Sequence, residues 1–243
     1  MRAAYRIQAP AVVLLAVLVA SCARQPVRPS APAPTSVPEQ AAPRLSREGR
    51  RFDVDSGASL LTIQVYRGGA LARAGHNHVV ASHDLSGVAY VPENLSAVSF
   101  DVHLNVNLLT VDEEDLRQQA GPDFPPGVPD EAKAGTKRNM LGEAMLDGDR
   151  YPEIMLQSEA VHRASEGSGV EAQVRAIVRD RAFAVVVPMR YRLDGDTLEV
   201  DGEMPLKQTD IGLTPFTLFG GALRVEDEMK VRFHIVAREG AKP

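Results

Sequence analysis

From Phe52 onward, apolar and polar residues alternate with a period of two. Leu61, Ile63 and Val65 alternate with Thr62, Gln64 and Tyr66. The longest row sets Val98, Phe100, Val102, Leu104, Val106 and Leu108 against Ser99, Asp101, His103, Asn105 and Asn107. Further rows run through Val170, Ala172, Val174, Ala176 and Val178, then Phe183, Val185, Val187, Met189 and Tyr191. Leu198, Val200, Met204 and Leu206 follow, and Met229, Val231, Phe233 and Ile235 close the series. Such alternation puts one set of side chains on one sheet face, so the pattern predicts antiparallel strands with one dry and one wet face.

Turn-forming residues punctuate the rows at Gly68-Gly69, Pro92-Glu93-Asn94, Asp194-Gly195-Asp196 and Glu226-Asp227-Glu228. Arg179-Asp180-Arg181 is short and polar enough to turn a hairpin. One stretch departs from period two. Asp130 to Leu146 places Met140, Leu141, Ala144 and Met145 on one face, which predicts a single helix with Asp130 as its N-cap. Gly121 to Gly127, with Pro122, Pro125 and Pro126, is expected to be a surface loop. A long row of one-sided strands must pack on a second sheet or close on itself, and closure also removes exposed edges. Roughly eight strands enclose side chains or one slender ligand. The expected architecture is mainly β, a barrel or sandwich with one short helix.

The N-terminus has another character. Arg2 and Arg6 precede the run Ala11 to Ala20 of Ala, Val and Leu. That run is too short to span a bilayer, which needs roughly 20 residues, and fits the core of an export signal. Val19-Ala20-Ser21-Cys22 follows, ending in the only cysteine. This resembles the lipobox of bacterial lipoproteins, which implies cleavage after residue 21 and lipidation of Cys22. Two or more acyl chains would make a stable anchor. Residues 22–51, with six prolines and no apolar period, are expected to form a disordered spacer, leaving 52–238 as the folded domain. Ala23 lacks the Asp that retains many lipoproteins in the inner membrane. The expected location is therefore the periplasmic face of the outer membrane.

Composition then removes several functions. The formal charge of −5, with no basic tract, argues against a nucleic-acid partner. One cysteine excludes an internal disulfide framework and any multi-cysteine metal site. Nucleophile-elbow, phosphate-loop and His-Glu-x-x-His motifs are missing, so no enzyme is expected. Glu113, Glu114 and Asp115 read as a solvated loop, and Asp194, Asp196 and Asp201 as turn residues. His76 and His78, two apart on an extended segment, could aim both rings at one metal or haem, with His83 and Asp84 close behind. His103, His162 and His234 read as surface residues.

The inward candidates are Phe100, Val102, Leu104, Phe183, Val185, Val187, Met189, Phe233 and Ile235. Two readings stay open for them: they fill the barrel, making a plain interaction module, or they leave an apolar cavity for a lipid tail. Phe216, Leu218 and Phe219, beside Gly220-Gly221, form a second apolar patch that either gates the mouth or caps the barrel end.

An ordered set of short motifs runs through the domain: Phe52-Asp53-Val54-Asp55, Gly75-His76-Asn77-His78, Leu85-Ser86-Gly87-Val88, Asn139-Met140-Leu141, Tyr151-Pro152-Glu153-Ile154 and Asp210-Ile211-Gly212. Together they resemble the YceI-like family of bacterial periplasmic proteins over about residues 52–238. The resemblance implies a lipocalin-like, eight-stranded barrel whose cavity binds polyisoprenoid or a similar amphiphilic lipid, quinones included. Asp180, Gln208 and the Pro-rich segment around Phe124 depart from the family pattern.

Overall fold

A computed structural model describes residues 45–165 and 169–240. The expected export signal, Cys22 and most of the expected spacer lie outside the described residues. The strands are β1 (Arg50–Val54), β2 (Leu60–Gly68), β3 (His78–Ser82), β4 (Leu85–Val91), β5 (Ser99–Asn105) and β6 (Thr110–Val111). They continue as β7 (Glu153–Arg163), β8 (Val170–Val178), β9 (Arg181–Asp194), β10 (Thr197–Lys207), β11 (Thr217–Leu218) and β12 (Leu223–Glu239). The first strand begins two residues before the expected start of the domain.

All the pairings are antiparallel, and they close. β1 pairs with β4 on one side and with β12 on the other. The circuit runs β1-β4-β5-β7-β8-β9-β10-β12 and back to β1, an eight-stranded barrel rather than a sandwich. Closure removes the free edges that an open sheet of this size would expose. β2, β3 and β6 extend the same wall beyond the circuit, because the long β12 pairs with β1 near its end and with β2 along its middle. A 3-10 turn at Ser56–Ala58 marks the changeover, pinned where the Ser59 hydroxyl accepts from the Val236 amide at 3.0 Å.

The alternating rows face as expected. Inside the barrel, Leu61, Val80, Leu85, Val102, Leu104 and Phe183 form the largest buried cluster, joined by Val106, Leu109, Leu146 and Leu213. Near the β9–β10 turn a smaller cluster holds Phe52, Leu198 and Ala237. At the β9–β10 hairpin end, Arg50 donates to Gly195 O at 2.8 Å and pairs with Glu239 at 2.5 Å, fastening β1 across the closure.

Four local expectations need correction. There are two helices: α1 (Glu114–Ala120) and α2 (Asp130–Leu141). The acidic run taken for a loop starts α1, where Glu114 and Asp115 suit the positive end of the helix dipole and Leu116 and Arg117 are buried. α2 stops at Leu141, five residues short, because Gly142 turns extended, and Pro129 rather than Asp130 is its N-cap. The row from Val98 breaks after Asn105. There the Asn105 side chain accepts from the Asn107 amide and starts a 3-10 turn that buries Val106 and exposes Leu108. Glu226-Asp227-Glu228 is no turn between strands; it lies inside β12, where the register with β2 shifts between Val225 and Met229. The 121–127 segment is irregular, as expected, yet it buries Phe124 against Val79, Ala81 and Leu116 outside the barrel.

Phe52 is fully enclosed at the seam where β1 meets both β4 and β12. Phe52→Ala is expected to cost about 3–5 kcal/mol, read from the shift in a urea unfolding midpoint at unchanged slope.

Candidate functional site

The wall of the barrel has a gap between β9 and β10. β9 and β10 pair only at residues 190–194 against 197–201. Residues 181–189 of β9 remain paired with β8, and residues 202–207 of β10 with β12, but no rungs join them to each other. Pro188 accounts for where the rungs stop. Its carbonyl faces β10, 2.8 Å from the position a Cβ on Gly202 would take. In an extended strand the amide nitrogen of the same residue points the same way. The next rung after Arg190–Asp201 therefore lacks its donor, because proline has no N–H. Further along the gap, the segment after β10 lies across it, with Ile211 and Leu213 packed into the core alongside Phe183.

A groove of about 580 Å³ opens at this gap, within the usual range of ligand sites. Its lining comes from both faces of the wall. Val170, Met189 and Phe233 belong to the inward rows, whereas Thr62, Arg190, Asp201, Glu203, Arg232 and His234 stand on the outer face. The groove therefore lies on the outer side of the wall and reaches side chains of the inward rows at the gap. Gly202 is required here, since a Cβ would collide with the Phe233 ring. On the outer rim, His234 Nδ1 lies 2.7 Å from Asp201, and Glu203 is paired with both Lys230 and Arg232 at 2.5 Å.

The predicted ligand residues separate into three groups. Val102, Leu104 and Phe183 are buried in the core. Phe100, Val185, Val187, Met189, Phe233 and Ile235 belong to the inward rows but stay only partly buried. Inward side chains of a solidly packed barrel would lose nearly all their surface; of this row, Met189 and Phe233 line the groove. Phe216 and Phe219 belong to neither group. They stand in the loop between β10 and β12, outside the groove.

The two histidines proposed as metal ligands separate as well. His76 is exposed, and its ring centroid lies 6.2 Å from that of His78. Both nitrogens of His78 are engaged: Nδ1 is 2.6 Å from Asp112 Oδ2, and Nε2 is 3.3 Å from Thr136 Oγ1. His83 turns instead to Glu113 at 2.9 Å. Among the described residues no group of three or more His, Cys, Asp or Glu side chains is placed to hold a metal. His78 alone serves a different end.

That end is a buried polar clamp centred on Asp112. Its backbone is left-handed, with φ 57°, and its side chain is fully enclosed. Oδ1 accepts from the Val79 amide at 2.9 Å and from Arg117 Nη1 at 2.5 Å. Arg117, itself buried, also donates to Asn77 O at 2.7 Å and, through Nε and Nη2, to Pro125 O at 3.0 and 2.7 Å. One carboxylate thus joins β3, α1 and the Pro-rich segment, and through His78 it reaches Thr136 on α2. Burial pushes the Asp112 carboxyl up; the hydrogen bonds from His78 and Val79 and the neighbouring Arg117 outweigh burial and hold it below its ordinary value. Sequence reading missed Asp112, Arg117 and Thr136. The acidic run beginning at Asp112 was the available signal, but it reads like any solvated loop.

Fold and groove together define a lipocalin-like β-barrel with an apolar core and a groove beside a gap in its side wall. No family model and no curated protein matches the chain. Among solved structures, BcnA of Burkholderia cenocepacia is similar at TM-score 0.55 and 18% identity, covering 76% of this chain and 99% of that one. A polyisoprenoid binding domain from Saccharophagus degradans, implicated in plant cell wall breakdown, is similar at TM-score 0.49 and 11% identity, over 78% of this chain and 98% of that one. The Campylobacter jejuni YceI protein is similar at TM-score 0.44 and 10% identity, over 65% and 82%. At such identities the likeness to BcnA is one of fold.

Asp112→Asn leaves the Arg117 cation enclosed without its counter-charge, and is expected to destabilise the protein by about 3–5 kcal/mol. The pH dependence has a definite sign. With its folded pKa depressed, Asp112 contributes stability that is complete above the ordinary carboxylate value of about 3.9 and is lost as pH falls through the lower folded value. The denaturant midpoint of the parent protein should fall between pH 7 and pH 3, and that of Asp112→Asn should fall less.

Proposed function

We propose that this chain is a non-catalytic, YceI-like binding protein that holds the apolar tail of an isoprenoid, quinone or related amphiphilic lipid inside its barrel. The observation that carries this reading is the groove lined from both faces of the wall at the β9–β10 gap. It gives an apolar tail a way to the partly buried Val185, Val187, Met189 and Phe233 while a polar head stays at the charged outer rim. The motif order read from the sequence supplies the ligand class. The likeness of fold to BcnA supports the barrel. In this reading Cys22 carries the lipid anchor, and residues 22–51 space the barrel from the periplasmic face of the outer membrane.

The energetics are adequate. Enclosing one isoprene unit contributes roughly 3 kcal/mol, and micromolar affinity corresponds to about 8 kcal/mol. A chain of four or more units, roughly 12 kcal/mol or more, therefore reaches that range after an association cost of about 4 kcal/mol.

Protein purified from its host is expected to carry a stoichiometric lipid by native mass spectrometry, and delipidated protein to bind a short polyprenol with micromolar affinity. Val187→Glu places a carboxylate in the hollow and should weaken that binding at least tenfold, with the unfolding transition still cooperative. A protein that comes without lipid and ignores added polyprenol would defeat the reading.

A further inference from the structure

The far end of β2 and the start of β12 project together as a tip that the lipid-holding role does not use. Their connecting segments are joined: the Leu71 amide donates to Ala222 O at 2.7 Å, the Val225 amide to Phe216 O at 2.9 Å, and Arg67 donates to Gly75 O. This tip holds three of the large apolar side chains most open to water, Leu71 at 47%, Leu218 at 41% and Phe219 at 76% exposure. Phe219 is held out by a turn in which its own φ is 50°, a costly conformation for a bulky residue, followed by Gly220 and Gly221, also at positive φ.

The charge of the tip runs against that of the chain. The protein as a whole is acidic, with a formal −5. Yet residues 69–77 and 212–225 contain no Asp or Glu, and the charged side chains there and at the adjoining end of β2 are Arg67, Arg73 and Arg224. Arg224 is paired with Glu226 at 3.0 Å, while Arg73 is exposed and has no ion-pair partner among the described residues. Exposed apolar side chains on segments that also carry Arg67 and Arg73 fit the headgroup boundary of an anionic bilayer, the apolar groups sinking about 5–10 Å and the cations resting among phosphates.

We propose that this tip is a membrane-docking site that inserts Phe219, Leu218 and Leu71 into an anionic lipid surface. It acts independently of any ligand in the barrel and of any N-terminal anchor.

Since the chain contains no Trp, a single introduced indole reports on its own position. Full-length Phe219→Trp is mixed with phosphatidylglycerol or phosphatidylcholine vesicles, with Leu193→Trp as the control. Leu193 is exposed near the β9–β10 turn, roughly 40 Å away along β12 by strand rise. The expected result is a blue shift in the emission of Phe219→Trp on phosphatidylglycerol, with quenching by brominated acyl chains and reversal at high salt. The Leu193→Trp control should stay unquenched even if the N-terminal segment attaches the chain. Arg73→Ala in the Phe219→Trp background should lower partitioning about fivefold, the factor equivalent to about 1 kcal/mol for one basic residue at the surface. Absence of quenching in Phe219→Trp, equal quenching in Leu193→Trp, or equal response to both vesicle types would overturn the proposal.

Discussion

The architecture depends on backbone hydrogen bonding continued round a circle. Each strand of a barrel needs a partner on both sides, and here the circle is completed by the short β1, which serves β4 and β12 at once. Phe52 is buried at this junction, and the Arg50 ion pair and hydrogen bond tie its end to β12 and the β9–β10 turn. The same requirement makes the gap between β9 and β10 conspicuous. A single proline nitrogen facing the neighbouring strand stops the ladder, and the two half-free strands diverge from that point. The wall thus acquires a break in its side, bordered inside by apolar side chains and outside by paired charges.

A second constraint holds the extra-barrel elements in place. α1 and the segment around Phe124 are too short and irregular to be stable alone. They are fixed to the wall by one enclosed carboxylate and the guanidinium that completes it. A buried charge pair of this kind adds little stability over an apolar packing of equal size, but its hydrogen bonds admit few alternative arrangements. The Asp112–Arg117 pair thereby sets where α1 lies on β3, and the contact of His78 with Thr136 extends that placement to α2. The chemistry that looked like a metal site is used for positioning.

Hydrophobic surface is divided between three uses. One set of side chains is enclosed and holds the barrel closed. Another is inward but incompletely covered, leaving room beside Met189 and Phe233. The third, at the tip, is outside altogether. Phe216 and Phe219, expected to gate the mouth or cap the barrel end, lie beyond the end of the circuit, where β12 outruns the barrel.

The inward rows of β2, β5, β8, β9, β10 and β12 and the mainly β class were legible in the chain itself. Side-chain alternation is a local property of extended backbone, and it is written into each segment without reference to any other. α1 was hidden because seven residues with an acidic start carry no periodic signal, and its burial of Leu116 depends on β3 lying beneath it. The clamp was hidden for a related reason: residues 78, 112, 117, 125 and 136 meet only when four separate segments are folded together. The lateral gap depends on both levels. Pro188 stands in plain view in a strand-forming row, but whether its missing donor faces β8, where pairing survives, or β10, where it fails, is settled by the register of three strands.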